Sequence, residues 1–266
     1  MVPNTEEKKQ SRFAERLSWA RSIFVFDPLI YLYTIVLGTF SLISSLFDRE
    51  GRVQHWFARA WSWLILKTSM CPIEVLGGER LLNGGAHVYA VNHISAFDIP
   101  TLYLKLPIFR IMAKKELFRY PFLGWHLRRS GQLPIDQENT ASSIRSLKRA
   151  IDTLRAGMPL VIFPEGGRSA TGQIQSFMTG AFYIAIKAHV DIVPLALVGT
   201  YEILPMNTFH IRPRPIKLVV GEPIPTAEYG LRDMDALTRR VQAAIEDLYY
   251  KYAEVGDPRR AAASGR

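Results

Sequence analysis

A histidine and an aspartate lie five positions apart in the stretch VNHISAFDIP, residues 91–100. A paired imidazole and carboxylate is suited to moving a proton at neutral pH, so the spacing raises the question of a catalytic pair. Five residues correspond to about 140° of rotation on an α-helix, and His93 and Asp98 therefore cannot share one face of a continuous helix. They can meet only where a strand turns into a helix.

The flanking residues predict such a corner. The run HVYAV before the pair is β-branched and aromatic and indicates a buried strand, whereas IPTLYL after it indicates the start of a helix. Asp98 then lies in the first helical turn, where an aspartate is commonly a cap, either as the N-cap or as the acidic partner of Ser95 in a Ser-x-x-Asp capping box. This segment alone favours the capping role over the chemical one.

A second candidate element is PEGGRS, residues 164–169, which follows the apolar run PLVIF. Two adjacent glycines and an arginine after a strand can form a loop whose backbone N–H groups and guanidinium face an anion, and phosphate is the natural guest. The alternative is a tight turn in which Glu165 and Arg168 pair with each other. Both interpretations stay open at this point.

The segment from residue 105 to residue 129 is strongly basic and carries large apolar groups in LFRYPFLGWHL. It contains one acidic residue, Glu116, and seven basic ones: Lys105, Arg110, Lys114, Lys115, Arg119, Arg128 and Arg129. A surface that lies on a membrane uses both cationic and aromatic side chains. A solvated charged face is the alternative.

The composition narrows the class of protein. The chain has 266 residues, 48% of them hydrophobic, which suffices for one large domain and an appendage. A net charge of +9 suggests an acidic partner. Nucleic acid, anionic lipid and a phosphorylated substrate are the three classes that fit, and charge alone does not choose among them. The single cysteine, Cys71, excludes an intrachain disulfide, and the six histidines form no metal-spaced cluster with it. We therefore expect a reducing compartment and no metal site.

The N-terminal region predicts membrane contact. After a polar leader, residues 1–22, the stretch from Pro28 to Phe47 has no charged residue, and about 20 apolar residues span a bilayer as a helix. It is interpreted as retained, because a cleavable signal has a shorter apolar core nearer the start. A second amphipathic helix with several tryptophans follows, so residues 23–70 form a predicted two-helix membrane anchor. Basic residues flank both sides, which leaves open a true span or insertion into one leaflet; a buried core helix is the alternative.

Beyond Cys71 the pattern is an α/β alternation that predicts one domain over residues 71–253. Seven apolar runs indicate strands: IEVLG, HVYAV, FRIMA, QLPID, PLVIF, DIVPLALVG and IKLVV. Helices are expected around residues 144–154, over SFMTGAFYIAIKAHV and over MDALTRRVQAAIEDLYYKY, and the polar tail 254–266 is expected to be disordered.

Taken together, four stretches in this order resemble the sequence blocks of the 1-acyl-sn-glycerol-3-phosphate acyltransferases: NHISAFD, AKKELFRYPFLGWHLRRSGQLPID, FPEGGRS and IVPLALVGT. The resemblance covers roughly residues 71–225. It implies an α/β fold with a mixed central sheet flanked by helices and an active site near the membrane plane. It also implies a membrane-bound enzyme that transfers a fatty acyl group from acyl-CoA or acyl-carrier protein to lysophosphatidic acid, without a cofactor.

By this resemblance His93 is the general base and Asp98 its orienting partner. Substrate-binding residues implied in the same way are Lys114, Glu165, Gly166 and Arg168, with Arg168 and Lys114 on the acceptor phosphate. Pro194 in the fourth block either contributes to acyl binding or shapes a strand end. Since no Gly-x-Ser-x-Gly elbow occurs, direct transfer is favoured over an acyl-serine intermediate, and Ser95 is a poor candidate nucleophile.

The chain departs from the family pattern at two positions. Gln137 stands where the second block commonly has arginine, and a neutral amide cannot pair with phosphate as a guanidinium does. Gly167 replaces the usual threonine of the third block. Another acceptor, such as a lyso-ornithine lipid or a lysophospholipid with a headgroup, therefore stays open, as does a catalytically silent lipid-binding scaffold. Nucleic acid is not an expected partner because no motif for it is present, and acyl donors made in the cytoplasm place the domain on the cytoplasmic face.

Overall fold

The computed structural model describes residues 5–48, 51–81, 85–136 and 140–259. Each of the seven predicted apolar runs forms a strand. The strands are β1 (Ile73–Leu76), β2 (Val88–Val91), β3 (Arg110–Lys114), β4 (Leu133–Ile135), β5 (Leu160–Ile162), β6 (Ile192–Val198) and β7 (Ile216–Val220). The helices are α1 (Thr5–Arg21), α2 (Asp27–Ser44), α3 (Arg52–Thr68), α4 (Asp98–Lys105), α5 (Leu123–Arg129), α6 (Thr140–Arg155), α7 (Gly180–Ala188), α8 (Thr200–Ile203) and α9 (Met234–Tyr250).

The strands form one seven-stranded sheet in the order β1-β7-β6-β2-β5-β3-β4. Every neighbouring pair is parallel except β6 and β7, which run antiparallel. This confirms the expected mixed sheet. The four central strands β6, β2, β5 and β3 are mutually parallel, so their carboxyl ends lie at one edge, where α/β sheets commonly bind ligands.

Helices cover both faces of the sheet, which is why the strands are apolar runs rather than alternating ones. Along β2, Tyr89 and Val91 face one buried cluster, to which α3 and α4 contribute, and Val88 and Ala90 face another, formed with α6, α7 and α9. This two-residue alternation is the ordinary geometry of a strand. Helices α6 and α9 form as predicted, and α6 is followed by Gly157 at a φ of +87°.

The predicted helix over residues 176–190 starts later than expected, at Gly180. The backbone N–H of Phe177 donates to the Gln242 side chain, and that of Met178 donates to the carbonyl of Pro164. Tertiary contacts with α9 and with the loop after β5 therefore fix the backbone of residues 177 and 178 ahead of the helix, and these contacts are invisible in a local pattern.

The N-terminal region is helical from Thr5 onward. Helix α1 continues through a π-helical turn, Ser22–Phe26, directly into α2. Within the described residues one stretch, Phe13–Ser44, is long and apolar enough to cross a bilayer, judged by length and composition, and 6% of its most apolar window is buried. This low burial contradicts the alternative of a buried core helix for α2. The predicted polar leader, residues 1–22, is thus part of the same helical run where the structure describes it.

Helix α3 pairs with α2 on one side and with the domain on the other. The Trp61 indole donates to the Thr34 hydroxyl at 2.9 Å across the α2–α3 contact. On the opposite face, the Arg59 guanidinium donates to the carbonyls of Leu104 and Leu106 at the end of α4. The second helix of the predicted anchor therefore belongs to the domain core as well.

At the C-terminus, the structure describes residues 254–259 of the predicted disordered tail, and Arg259 ties them to α9. Arg259 donates to Asp247 at 2.8 Å and lies over the ring of Tyr250. Residues 260–266 lie outside the described part of the chain.

Candidate functional site

His93 and Asp98 meet at the corner between β2 and α4, as their spacing predicts. His93 Nδ1 donates to Asp98 Oδ2 at 2.8 Å. The imidazole also stacks on the ring of Phe163, with centroids 4.0 Å apart and planes inclined by 18°. The ring is therefore fixed in its plane by the stacking and in its rotation by the carboxylate, with 18% of the side chain exposed.

The carboxylate of Asp98 is fully buried and accepts four hydrogen bonds. Besides His93, its Oδ2 accepts from the backbone N–H groups of Ile94 at 2.8 Å and Ser95 at 2.9 Å. Its Oδ1 accepts from the Thr200 hydroxyl at 2.6 Å. These donors leave the carboxylate no freedom to turn, so it fixes the tautomer of the imidazole with a proton on Nδ1.

The capping interpretation of Asp98 holds only in part. The bond from the Ser95 N–H is half of a capping box, but the N-cap residue Phe97 receives no side-chain cap. Most of the carboxylate's bonding capacity goes to the histidine, to Ile94 and to Thr200 instead. Ser95 is also occupied, because its buried hydroxyl donates to the carbonyl of Leu204 at 2.8 Å.

The backbone of His93 is held on both sides by the loop after β5. Its N–H donates to Glu165 Oε1 at 2.6 Å, and its carbonyl accepts from the Ser169 N–H at 2.8 Å. Glu165 Oε2 accepts from the Gln175 N–H at 2.9 Å. Glu165, expected to contact substrate, is thus turned toward the protein. Burial raises the pKa of its carboxyl to about 7, although the hydrogen bonds it accepts favour the ionised form.

The same loop carries one cation, Arg168, and lies beside a second, Lys114. A Cβ built on Gly167 would lie 3.5 Å from Lys114 Nζ at the end of β3, and the Arg168 side chain is exposed. Gly166 has a φ of +73°, a backbone conformation that favours glycine. The Glu165–Arg168 pair that a tight turn would contain is not formed among the described residues. Among the described residues, no acceptor is found for the backbone N–H groups of Gly167 and Arg168. The loop after β5, together with Lys114, is therefore suited to binding an anion.

Thr200 and Asn92 also belong to the site, although sequence reasoning did not single them out. Gly199, with a φ of +92°, turns the chain directly after β6, and a Cβ there would lie 2.5 Å from the carbonyl oxygen of Pro215. This turn brings Thr200 to Asp98. The Asn92 side chain exchanges two hydrogen bonds with the backbone of Leu197, at 2.7 and 3.0 Å, and so extends the β2–β6 pairing up to His93. Asn92 begins the first motif block and Thr200 ends the fourth, and this position within the blocks is the feature of the sequence that connects them with the site.

Pro194 lies inside β6 rather than at a strand end. Its carbonyl accepts from the Gly221 N–H at 2.8 Å, and its Cγ would lie 2.8 Å from a Cβ on Gly221. These contacts give the proline a role in sheet packing.

The basic segment 105–129 is confirmed as a surface with one correction. Arg110 is only 9% exposed and packs against Gly51 and Gly131, and burial lowers the pKa of its guanidinium. The other six cations are exposed or half-buried, and Lys115 donates to Asp136 at 2.8 Å.

Gln137 lies outside the described residues. No group of three or more His, Cys, Asp or Glu side chains in the described ranges is arranged to hold a metal ion.

The fold and the motif blocks define the class of protein. The family model described as Acyltransferase matches residues 72–198. The crystal structure of the 1-acyl-sn-glycerophosphate acyltransferase PlsC from Thermotoga maritima superposes with a TM-score of 0.74 and 23% identity, covering 86% of this chain and 94% of that one. The fold is thus that of a glycerolipid acyltransferase.

The relatives narrow this class to one family. A 1-acyl-sn-glycerol-3-phosphate acyltransferase of Helicobacter pylori is 31% identical over 66% of this chain and 75% of its own length. That of Limnanthes alba is 32% identical over 68% of this chain, which spans 63% of the relative's length. The chain belongs to the 1-acyl-sn-glycerol-3-phosphate acyltransferase family. Its match spans 51% of the chloroplastic relative from Arabidopsis thaliana.

Proposed function

We propose that the protein is a membrane-bound O-acyltransferase. It transfers a fatty acyl group from acyl-CoA or acyl-carrier protein to the sn-2 hydroxyl of lysophosphatidic acid and forms phosphatidic acid. One observation carries the proposal: the 2.8 Å bond from His93 to the buried Asp98 lies at the same sheet edge as the exposed Arg168 and Lys114. A proton acceptor and an anion-binding surface are the two elements that acylation of a phosphorylated alcohol requires.

In the first step His93 acts as general base. Because Nδ1–H donates to Asp98, the lone pair of the imidazole is on Nε2, and it accepts the proton of the acceptor hydroxyl. The hydroxyl oxygen forms a bond to the carbonyl carbon of the thioester, and a tetrahedral oxyanion results. Positioned bases of this kind contribute about 10²–10⁴-fold to the rate.

In the second step the intermediate collapses. The carbon–sulfur bond breaks, the ester carbonyl re-forms, and the departing sulfur takes the proton from Nε2 of the imidazolium. The Asp98 carboxylate stabilises that imidazolium while it exists. The buried, bonded hydroxyl of Ser95 is consistent with direct transfer without an acyl-serine intermediate.

The acceptor phosphate is assigned to the loop after β5 and to the end of β3. Arg168 offers a planar set of donors, Lys114 a point charge, and the N–H groups of Gly167 and Arg168 complete the set. In this arrangement Glu165 and Gly166 shape the loop rather than touch substrate, since Glu165 holds the backbone of His93.

Membrane association is proposed from α2, which presents an exposed apolar face. The exposed residues on it are Tyr31, Leu32, Ile35, Val36, Phe40 and Ile43. Lipid is the environment in which such a face is stable. The catalytic domain is placed on the cytoplasmic side, where acyl donors are made.

The test is thiol release from a long-chain acyl-CoA by the purified full-length protein, with lysophosphatidic acid or a panel of other lysolipids. We expect stimulation by lysophosphatidic acid that is lost in His93→Ala. His189→Asn is the matched control, because His189 is exposed at the end of α7 at a φ of +56°, which asparagine tolerates.

Three other outcomes would change the proposal. Stimulation by another lysolipid alone would show that lysophosphatidic acid is not the acceptor, and it would connect that preference with Gln137. Full activity in His93→Ala would overturn the base assignment. Absence of release with both acyl-CoA and acyl-carrier protein donors would favour a silent lipid-binding scaffold.

A further inference from the structure

A cleft of about 340 Å³ lies between the C-terminal end of α2 and α5, and the proposed reaction does not use it. Its lining residues are Leu42, Ser45, Leu46, Trp125, Arg128 and Arg129. The two helices are held together beside it by a 2.9 Å hydrogen bond between the Ser41 hydroxyl and His126 Nδ1. The cleft is therefore a built feature of the α2–α5 contact.

The polar side of the cleft is cationic. Arg128 and Arg129 are exposed, and within the ranges that the structure describes neither guanidinium forms an ion pair or a hydrogen bond with another side chain. Among the residues that the structure describes, no acidic side chain lines the cleft. Burial lowers the pKa of the adjacent His126 and so disfavours a charge on that imidazole, whereas the two arginines supply the positive charge of the cleft.

The other side of the cleft is apolar and continues the exposed face of α2. Leu46 and Trp125 line it, and Phe47 beside it is 87% exposed. Phe122 and Leu123, at the start of α5, are exposed on the same segment. A tryptophan and two arginines at the end of a long apolar helix are the side-chain types found at the boundary between acyl chains and headgroups.

We propose that this cleft binds the headgroup phosphate of an anionic phospholipid of the bilayer, whose acyl chains lie along the apolar face of α2. The occupant is a lipid rather than a soluble phosphate or a nucleic acid, because the arginines share the cleft with leucine and tryptophan side chains that gain from contact with acyl chains. The inference rests on the membrane association of the proposed function, but it does not depend on the acyl transfer. The headgroup occupies a site separate from the residues assigned to the reacting acceptor.

The test uses quenching of Trp125 fluorescence in the full-length protein in phosphatidylcholine nanodiscs. A minor fraction of the lipid is brominated phosphatidylglycerol or, in the matched sample, brominated phosphatidylcholine. The chain has five tryptophans, so the Trp125 signal is the difference between the protein and its Trp125→Phe variant. We expect stronger quenching by the anionic lipid, with an enrichment of about five-fold for each arginine.

Matched charge variants distinguish a specific headgroup site in the cleft from a general attraction between the basic surface and anionic lipid. Arg128→Gln and Arg129→Gln should each lower the selectivity for phosphatidylglycerol, whereas Arg119→Gln removes the same charge from an exposed position outside the cleft and should retain it. Equal quenching by the two brominated lipids would overturn the proposed site. An equal loss of selectivity for phosphatidylglycerol in Arg119→Gln would overturn it as well.

An acyl-transfer assay in the same nanodiscs distinguishes the two proposals. Transfer that persists without lipid selectivity would overturn the phospholipid site alone. Selectivity that persists without transfer would overturn the acyltransferase function alone.

Discussion

The histidine–aspartate pair and the two cations beside it are held in opposite ways. The carboxylate of Asp98 accepts four hydrogen bonds, and the backbone of His93 is bonded on both sides. Arg168, in contrast, is exposed and has no side-chain partner within the described residues, and the Lys114 side chain is exposed beside Gly167.

This difference matches two kinds of work. A general base must be held within a narrow range of geometry before the substrate arrives, which requires supporting bonds from several elements. Groups that bind an anion must keep their donors unsatisfied, because a guanidinium already paired inside the protein would give up one partner to gain another. Substitutions in the two regions should therefore change different kinetic constants.

The largest effect is expected from Asp98→Asn. The amide has the size of the carboxylate, and its oxygen can still accept from the N–H donors while its nitrogen donates to Thr200. The negative charge beside the imidazolium is lost, and we expect kcat to fall by about 10²–10⁴-fold. Steady-state kinetics beside Asp152→Asn, an exposed aspartate on α6, provide the check, and an unchanged kcat would contradict the orienting role.

Arg168→Ala should act on the other region. Loss of a charge-assisted contact to phosphate is expected to lower kcat/KM for the acceptor by about 10–100-fold, mostly through KM. Titrations of each substrate in turn measure this, with the exposed Arg119→Ala as the control. An effect confined to the KM of the acyl donor would contradict the assignment of the loop to the acceptor.

Thr200→Val sharpens the comparison, because it loosens the rigid region without touching substrate. It removes the 2.6 Å bond to Asp98 Oδ1, and we expect kcat to fall by about 5–10-fold, with a shift of the acidic limb of the pH–rate profile. Thr200→Ser keeps the hydroxyl and should restore both the rate and the profile. Failure of serine to restore them would assign Thr200 to packing alone.

The smallest effect concerns Glu165, whose pKa burial raises from 4.5 to about 7. A raised folded-state pKa means that the folded state binds the proton more tightly than the unfolded one. The stabilising contribution is therefore complete below about pH 4.5 and is lost as the pH rises through about 7. Relative to Glu165→Gln, the wild-type melting temperature should fall across this window, as measured by thermal scans in detergent. A difference in melting temperature that does not change with pH would contradict the shift.

The sequence predicted the parts of the fold that depend on local pattern. All seven strands and the corner between His93 and Asp98 follow from short apolar runs and from helical geometry. Long-range partners carry no such pattern, and Thr200 lies 102 residues from the carboxylate it binds. The burial of Arg110 was missed for the same reason, since a count of charges does not report which of them the fold encloses.

The family blocks supplied most of the site, but they did not give the direction in which each side chain points. Glu165 lies in a predicted substrate loop and yet accepts from the backbone of His93. Only the parallel pairing of β2 with β5 brings these two loops side by side, and strand order cannot be derived from motif order. The roles of the individual site residues stay predictions that the substitutions above test.

The order of strands in the sheet has a consequence for synthesis of the chain. Strand β6 occupies the position between β2 and β7, so β2 has no neighbour on that side until residues 192–198 have left the ribosome. Until then a nascent chain exposes the edge of a fully apolar strand, which is prone to pairing with other chains. Thr200 emerges two residues after β6 ends, so protection of this edge and completion of the donor set around Asp98 occur together at a late stage of translation.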